Sequence, residues 1–392
     1  MFLTYITDNF GKKIEQRFPK LPSILFFLSF SIYTISQYLG GTLFKINGQF
    51  IFHLMTLATL LAILKIILFD KISNIYKLLT ITIILLLYAA GKNSYDFNLY
   101  YYAFFIFSAR DIDFKLILRW FIALLVSLIS ITVLSAVLHL IPTLAIGRTN
   151  SSVLRLSLGS IYPSDFAARI FHLMVAYATL RKFNFNLAEI ISFLAISVTT
   201  FVITDTKLDL ILMLCLVISV VAFPTIKAVF SKVSPYIINL FVTLFIIFNL
   251  GLAYFYSSAN PIFRKLDSLL TGRLSLGHIG FKDYNATLYG QFVYQNGWGG
   301  LHGAITNYFY IDSSLVRTLL MQGIIAYIFI LWLILRNVRK FSTNRQYSLL
   351  LALLFIVLSS AIDQHLIELS FNFIFLASFT NNNYFIEYKE QI

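Results

Sequence analysis

The chain has 392 residues, of which 59% are hydrophobic and 12% charged, with 40 Phe and 23 Tyr. Soluble domains carry about 25% charged residues, so an ordinary water-soluble globule is excluded. The net charge of +13 does not argue for nucleic acid, because the basic residues are dispersed between hydrophobic runs, where membrane orientation accounts for them.

Crossing a hydrocarbon core of about 30 Å takes about 20 apolar residues. In chain order, qualifying runs cover 22–39, 48–69, 74–91, 115–141, 165–181, 186–204, 207–223, 236–256, 313–335 and 346–361. Two weaker runs cover 98–109 and 368–380, the second interrupted by Asn372. Counting both predicts an all-α polytopic membrane protein of twelve transmembrane helices. With both termini cytoplasmic, the inner segments carry about twice as many Lys and Arg as the outer ones, and dropping 98–109 spoils that bias. The first run follows basic residues as a signal peptide does. However, Gln37-Tyr38-Leu39-Gly40-Gly41 lacks a small-x-small cleavage pattern, so an uncleaved span is expected. The organisation is then 1–256 with spans one to nine, 257–311 as an extracytoplasmic loop with short helices, and 312–392 with spans ten to twelve and a cytoplasmic tail. Cys215 stands alone in an apolar run, which excludes an intrachain disulfide and reads as a small buried hydrophobe.

Ionisable residues at membrane depth are costly and point to function. Here they gather on the outer side: residues 147–165, the turn Thr204 to Asp209, the long loop with Arg273, His278, Lys282, Asp283 and His302, then Asp312 and Arg317, and finally Asp363, His365 and Glu368. Within the long loop, Asn260-Pro261 opens a short helix that Gly272 ends near Leu270. Asn296-Gly297-Trp298-Gly299-Gly300 is a turn cluster whose Trp298 suits interfacial anchoring or stacking on a sugar ring. Plainer readings stand beside these. Asp165 and Arg169, four apart, form an ion pair on one helix face. Asp312 ahead of Ser313-Ser314 reads equally as an N-cap, and Arg155 and Arg273 read as solvated loop charges. No HExxH, Cys cluster or close carboxylate–His set is present, so neither a metal site nor a cofactor is expected.

Three stretches carry a family likeness: Arg155-Leu156-Ser157-Leu158-Gly159 followed by Pro163-Ser164-Asp165, then Leu270-Thr271-Gly272-Arg273, then Ile311-Asp312-Ser313-Ser314-Leu315-Val316-Arg317. Across roughly residues 110–380 the chain resembles the Wzy-type O-antigen and capsular polysaccharide polymerases. It departs from them at Tyr162-Pro163-Ser164, where the family usually has His-Pro-Asn, and at Thr206-Lys207, where it often has Ser-Arg. The related O-antigen ligases usually place His where this chain has Asp312.

The resemblance implies a GT-C-like, metal-independent glycosyltransferase of the bacterial cytoplasmic membrane, working at the outer face. An acceptor hydroxyl attacks the donor's anomeric carbon and polyprenyl pyrophosphate leaves. Arginine meets phosphate oxygens bidentately, so Arg317 and Arg273 are expected at the pyrophosphate and Asp312 at the acceptor hydroxyl. Asp312 and Arg317 are thus the catalytic candidates. Arg155, Arg273, Lys207, Arg169, Asp165 and His302 are the substrate-binding candidates, with His302 the rival base. The implied partners are polyprenyl-pyrophosphate-linked glycans, the lipid bilayer, a chain-length regulator and a flippase. Two alternatives remain: a ligase-type glycan transferase, and a lipid-linked oligosaccharide flippase. The flippase should bury charge in both halves, whereas spans one to four carry almost none.

Overall fold

A computed structural model describes residues 11–148, 151–301 and 305–387; the candidate His302 lies outside the described residues. The described chain is mostly helical. In order come α1 (Leu21–Gly40), α2 (Gly48–Phe69), α3 (Asn74–Ser94), α4 (Asn98–Ser108) and α5 (Phe114–Val137). A hairpin of β1 (Ala145–Arg148) and β2 (Ser151–Leu156) follows, then α6 (Pro163–Leu180), α7 (Leu187–Thr204), α8 (Lys207–Val221), α9 (Phe223–Lys232) and α10 (Pro235–Tyr254). The remainder holds α11 (Pro261–Leu269), α12 (Arg273–Asp283), α13 (Ser314–Met321), α14 (Gly323–Thr343) and α15 (Tyr347–Ser359), then three short 3₁₀ turns. Among the described residues, six helices (α1, α2, α3, α5, α7 and α10) are long and apolar enough to cross a membrane, or seven counting α8 and α9, bent by 79°, as one broken span.

The packing suits a bilayer. On α2, Ala58 and Ala62 are buried while Leu57, Leu60 and Leu64 are exposed, and α1 is its main helical partner. Small residues face the neighbour and large ones face outward, as expected where lipid rather than water covers the surface. Lys65 sits within the same helix without breaking the pattern, because it pairs with Asp70 and donates to the Arg110 carbonyl at 2.8 Å.

Of the remaining expected spans, 165–181 is the single helix α6 of 18 residues, and the others are short, broken or irregular. The run 98–109 is α4, of 11 residues, and 346–361 is α15, of 13. The run 313–335 is two helices, broken at Gln322 and Gly323, where Gly323 has φ +83°. Gly290, with φ +78°, presses against the break: a Cβ on Gly323 would stand 2.1 Å from the Gly290 nitrogen. The loop there replaces the lost helical bonds. Gln291 N donates to Met321 O at 2.9 Å and Ile324 N to Thr287 O at 2.9 Å.

The run 368–380 is not a transmembrane helix but buried irregular backbone with a 3₁₀ turn at Ile374–Ser378. Side chains supply its hydrogen bonds: Tyr102 to Asn372 O, Gln37 Oε1 from Ser370 N (2.8 Å), Lys340 to Ala377 O (2.8 Å) and Arg336 to Ser378 O (2.8 Å). Enclosed by protein, its buried backbone groups are paired in this way despite the lack of helix. The segment starts beside Asp165 and ends at Asn381, which pairs with the strand-like residues leading into α5. Tyr38, next to the Asp165 end, bonds Thr132 on α5, and Thr132 lies about 28 Å along the helix from Asp113 at 1.5 Å per residue.

The hairpin is absent from an all-α expectation. Ala145 pairs with Leu156 and Ile146 with Arg155. Along β2, Val153 and Leu154 are exposed while Arg155, and Ser157 just beyond the strand, are buried. A strand that exposes its apolar residues and buries an arginine is hidden from a search for buried apolar residues.

Candidate functional site

Four helices begin around one space. α6 opens at Tyr162-Pro163, α8 at Thr206-Lys207, α12 at Gly272-Arg273 and α13 at Ser313-Ser314. Ser164, Lys207, Arg273 and Asp312, from those starts, line a cavity of about 1330 Å³. At two of these starts the N–H groups are already paired: Leu274 N and Ser275 N donate to Asp267 Oδ1 at 2.9 and 3.1 Å on α12, and Ser314 N and Leu315 N to Asp363 O and Ser360 O on α13. The starts of α6 and α8, which no side chain caps, are the ones that favour an anion. The short helix α11 starts at Asn260-Pro261 and ends near Leu270 as the sequence indicated, with the Asn260 side chain accepting from Ile262 N at 2.9 Å; the chain then turns at Gly272 into α12.

The basic side chains stand where helix electrostatics disfavour them. Arg273 and Lys207 hold the first positions of α12 and α8, where a cation costs about 0.3–1 kcal/mol. Arg273 is held by hydrogen bonds from Nε to Ile362 O (2.7 Å) and from Nη1 to Leu270 O (3.2 Å), with Nη2 3.8 Å from Asp312 Oδ2. Arg155 is not a solvated loop charge. It is 6% exposed, donates from Nε to Thr204 O at 2.8 Å at the end of α7, and lies 5.3 Å from the Tyr162 ring centre.

Asp312 does not cap α13. Ser313 occupies the N-cap position, no side chain caps that end, and the Asp312 carboxylate faces Arg273 across the cavity. Burial raises the Asp312 carboxyl above the ordinary carboxylate range, against the pull of Arg273, and a raised carboxyl is a stronger base near neutral pH. Trp298 and Tyr308 complete the lining with two aromatic faces. The Trp298 turn is fixed by Gly300 N donating to Ile161 O at 2.9 Å.

Arg317 does not join this group. Its Nη1 donates to Gln295 Oε1 at 2.8 Å and its guanidinium lies 5.3 Å from the Tyr310 ring centre, in a second cavity of about 560 Å³ shared with Tyr95 and Asp96. The Asp165–Arg169 ion pair is also absent. Asp165 Oδ1 instead stands 3.6 Å from His365 Nε2, while His365 Nδ1 is 3.2 Å from Glu368 Oε1 and its ring stacks on Phe371 at 3.6 Å. Arg169, 2% exposed, is sandwiched between Tyr38 and Phe371, 4.1 and 4.6 Å from their ring centres. These residues border a third cavity of about 250 Å³. Burial opposes a charge on His365, but Glu368 and Asp165 outweigh it and push the imidazole up to about 10. The two carboxylates thus favour the charged imidazole over the neutral one.

Sequence reading gathered His365 and Glu368 with the outer ionisable residues without making them site candidates, and it missed Gln295. The signal for the first two was three ionisable groups, with Asp363, within six positions of an apolar stretch. Their partners lie far away in the chain, so nothing local named the pairs. Among the described residues, no group of three or more His, Cys, Asp or Glu side chains is arranged to hold a metal ion.

Fold and site together define a helical membrane protein with a basic chamber walled by helix N-termini. Set against protein-family models, characterised proteins and solved structures, the chain matches none.

Proposed function

We propose that the chain is a membrane glycosyltransferase of the Wzy type, with a GT-C-like fold, that joins polyprenyl-pyrophosphate-linked oligosaccharide repeat units at the outer face of the bacterial cytoplasmic membrane. The observation that carries this reading is the Arg273–Asp312 pair on the wall of the large cavity, with Arg155 and Lys207 on the same lining. In the proposed reaction the acceptor hydroxyl oxygen bonds to the donor's anomeric carbon, its proton passes to Asp312, and the anomeric C–O bond to pyrophosphate breaks. Arg273, Lys207 and Arg155 compensate the charge that collects on the leaving pyrophosphate, helped by the helix ends. Each charge-assisted bond is worth about 1.5–3 kcal/mol, and a positioned base about 10²–10⁴ in rate. The cavity, about 1330 Å³, has room for several sugar rings, and Trp298 and Tyr308 offer faces to stack on them.

The topology belongs to the same proposal: twelve crossings, with the chamber outside. The short α4 and the irregular stretch between His365 and Asn381 serve as two of them, shielded from lipid by the surrounding helices. The experiment is to incubate the purified protein with a single lipid-linked repeat unit and no nucleotide sugar. Products lengthened by whole repeats support the reading, and an unchanged repeat unit in the presence of folded protein removes it.

A further inference from the structure

The charged end of the molecule holds two separate chambers. The large cavity shares no lining residue with the other two, whereas the cavities of about 560 and 250 Å³ adjoin across Met55 and Asn98. The partition between the chambers is built from two stretches of chain. In the first, Tyr162 and Ser164 face the large cavity while Ile161 and Asp165 face the small one. In the second, Tyr308 and Asp312 face the large cavity, while Tyr310 lies under Arg317 and Ile311 N is held by Gln295 Oε1 at 2.9 Å.

The second chamber has a buried guanidinium with no carboxylate partner among the described residues. Arg169 is 2% exposed, yet its Nε and Nη1 have no hydrogen-bond partner among the described residues, and Nη2 reaches only the Tyr38 and Gly41 carbonyls, both at 3.4 Å. Gly41 leaves the space for it, since a Cβ there would stand 2.2 Å from Nη2. The nearest carboxylates, Asp165 and Glu368, are committed to His365. A buried guanidinium with free N–H groups is costly unless something fills them. At the other end of this chamber, which Asp96 also lines, Arg317 makes one hydrogen bond among the described residues, from Nη1 to Gln295 Oε1. The exposed aromatics Tyr95 and Phe292 border the chamber there.

We infer that this second chamber seats the head of a second lipid-linked substrate, with Arg317 meeting its pyrophosphate and Arg169 its remaining oxygens. The inference rests on the polymerase reading and deepens it. Donor and acceptor are held at once on opposite sides of the partition, and Arg273 and Arg317 serve different lipids. Transfer then takes place at the partition itself, where Asp312 stands.

The probe is undecaprenyl pyrophosphate without sugar, added to the full chain in detergent and counted by native mass spectrometry across a titration. The wild type should show two saturable sites. Arg317→Gln and Arg169→Gln should each weaken the same one by about tenfold or more, as the loss of a charge-assisted bond implies. Arg273→Gln should weaken the other, and Arg273→Gln with Arg317→Gln should weaken both. Arg317→Lys, keeping the charge but not the fork, should retain two sites with weaker binding and so separates loss of ligand contact from loss of fold. A single site, or Arg273→Gln and Arg317→Gln depleting the same lipid, would overturn the two-chamber inference, as would equal competition by phosphatidylglycerol. No bound lipid at all on folded protein would instead overturn the polymerase reading beneath it.

Discussion

Asp312 and Arg273 face each other at 3.8 Å, and the helix start beside them is occupied by Ser313. Three contacts restrain the guanidinium, to Ile362 O, Leu270 O and the Thr271 hydroxyl. Asp312, on a loop at the cavity wall, makes no side-chain hydrogen bond among the described residues. The arginine is thus the restrained member of the pair, and the carboxylate the one placed to take a proton.

Asp312→Asn therefore tests chemistry apart from folding. The substitution removes a proton acceptor and leaves the α13 cap untouched, so membrane abundance and melting temperature should stay close to wild type. Repeat-unit joining should fall by roughly 100-fold or more, the usual worth of a general base. Arg273→Lys combined with Asp312→Asn should lose less than the two separate losses added together, as expected of residues that act as a pair. Normal product from Asp312→Asn would remove it as the base.

The broken helix makes a second prediction, about stability. Gly290 and Gly323 both have positive φ and touch backbone to backbone. Gly323→Ala adds a Cβ 2.1 Å from the Gly290 nitrogen, beyond the 1–3 kcal/mol of a strained backbone position. Destabilisation of at least about 2 kcal/mol should follow, seen as lower membrane abundance and an earlier melt in detergent. A melting curve matching wild type would show that the α13–α14 break and the 287–291 loop do not need this contact.

His365 sets the pH dependence. Its imidazole is raised to about 10 by Glu368 and Asp165 in spite of burial, against an ordinary value of about 6.5. A raised cation contributes stability fully below about pH 6.5 and loses it as pH climbs through about 10. The melting temperature of the purified protein should accordingly fall toward pH 10. His365→Gln should melt lower at neutral pH, having left Asp165 and Glu368 facing one another, and should show a flatter alkaline limb. An alkaline limb unchanged by His365→Gln would separate that loss from His365.

Some of this was legible in the sequence and some was not. The runs at 48–69, 74–91 and 186–204 became α2, α3 and α7 with ends shifted by at most a few residues, because hydrocarbon length and apolar continuity act locally. The α11 start was readable for the same reason: Asn260 and Pro261 act on their own turn. What failed depended on partners distant in sequence. Asp165 looked paired with Arg169 because both lie on one helix, whereas His365 from the far end of the chain takes the carboxylate. The stretch after Glu368 looked like a helix because it is apolar. It stays irregular because Gln37, Tyr102, Arg336 and Lys340, from three other helices, bond its backbone. Of the residues expected together, Arg155, Lys207, Arg273 and Asp312 meet at one cavity, whereas Arg317, Asp165 and Arg169 border others.

Orientation is open to a labelling experiment. Lys265 on α11 and Lys232 at the end of α9 are both exposed, and Cys215 can be replaced by Ala to clear the background. Lys265→Cys should react with an impermeant thiol reagent in intact cells, and Lys232→Cys only after permeabilisation. The reverse pattern would put the chamber on the cytoplasmic side and remove the proposed topology.

The central claim is that the chamber makes a glycosidic bond at the expense of a pyrophosphate linkage. The most direct measurement reconstitutes the purified protein in liposomes with one lipid-linked repeat unit and counts two products together, joined repeats and free polyprenyl pyrophosphate. The account predicts one polyprenyl pyrophosphate released for every linkage formed, with both products lost together in Asp312→Asn. Repeat units that cross the bilayer with every glycan still on its original lipid, and no polyprenyl pyrophosphate released, would contradict it.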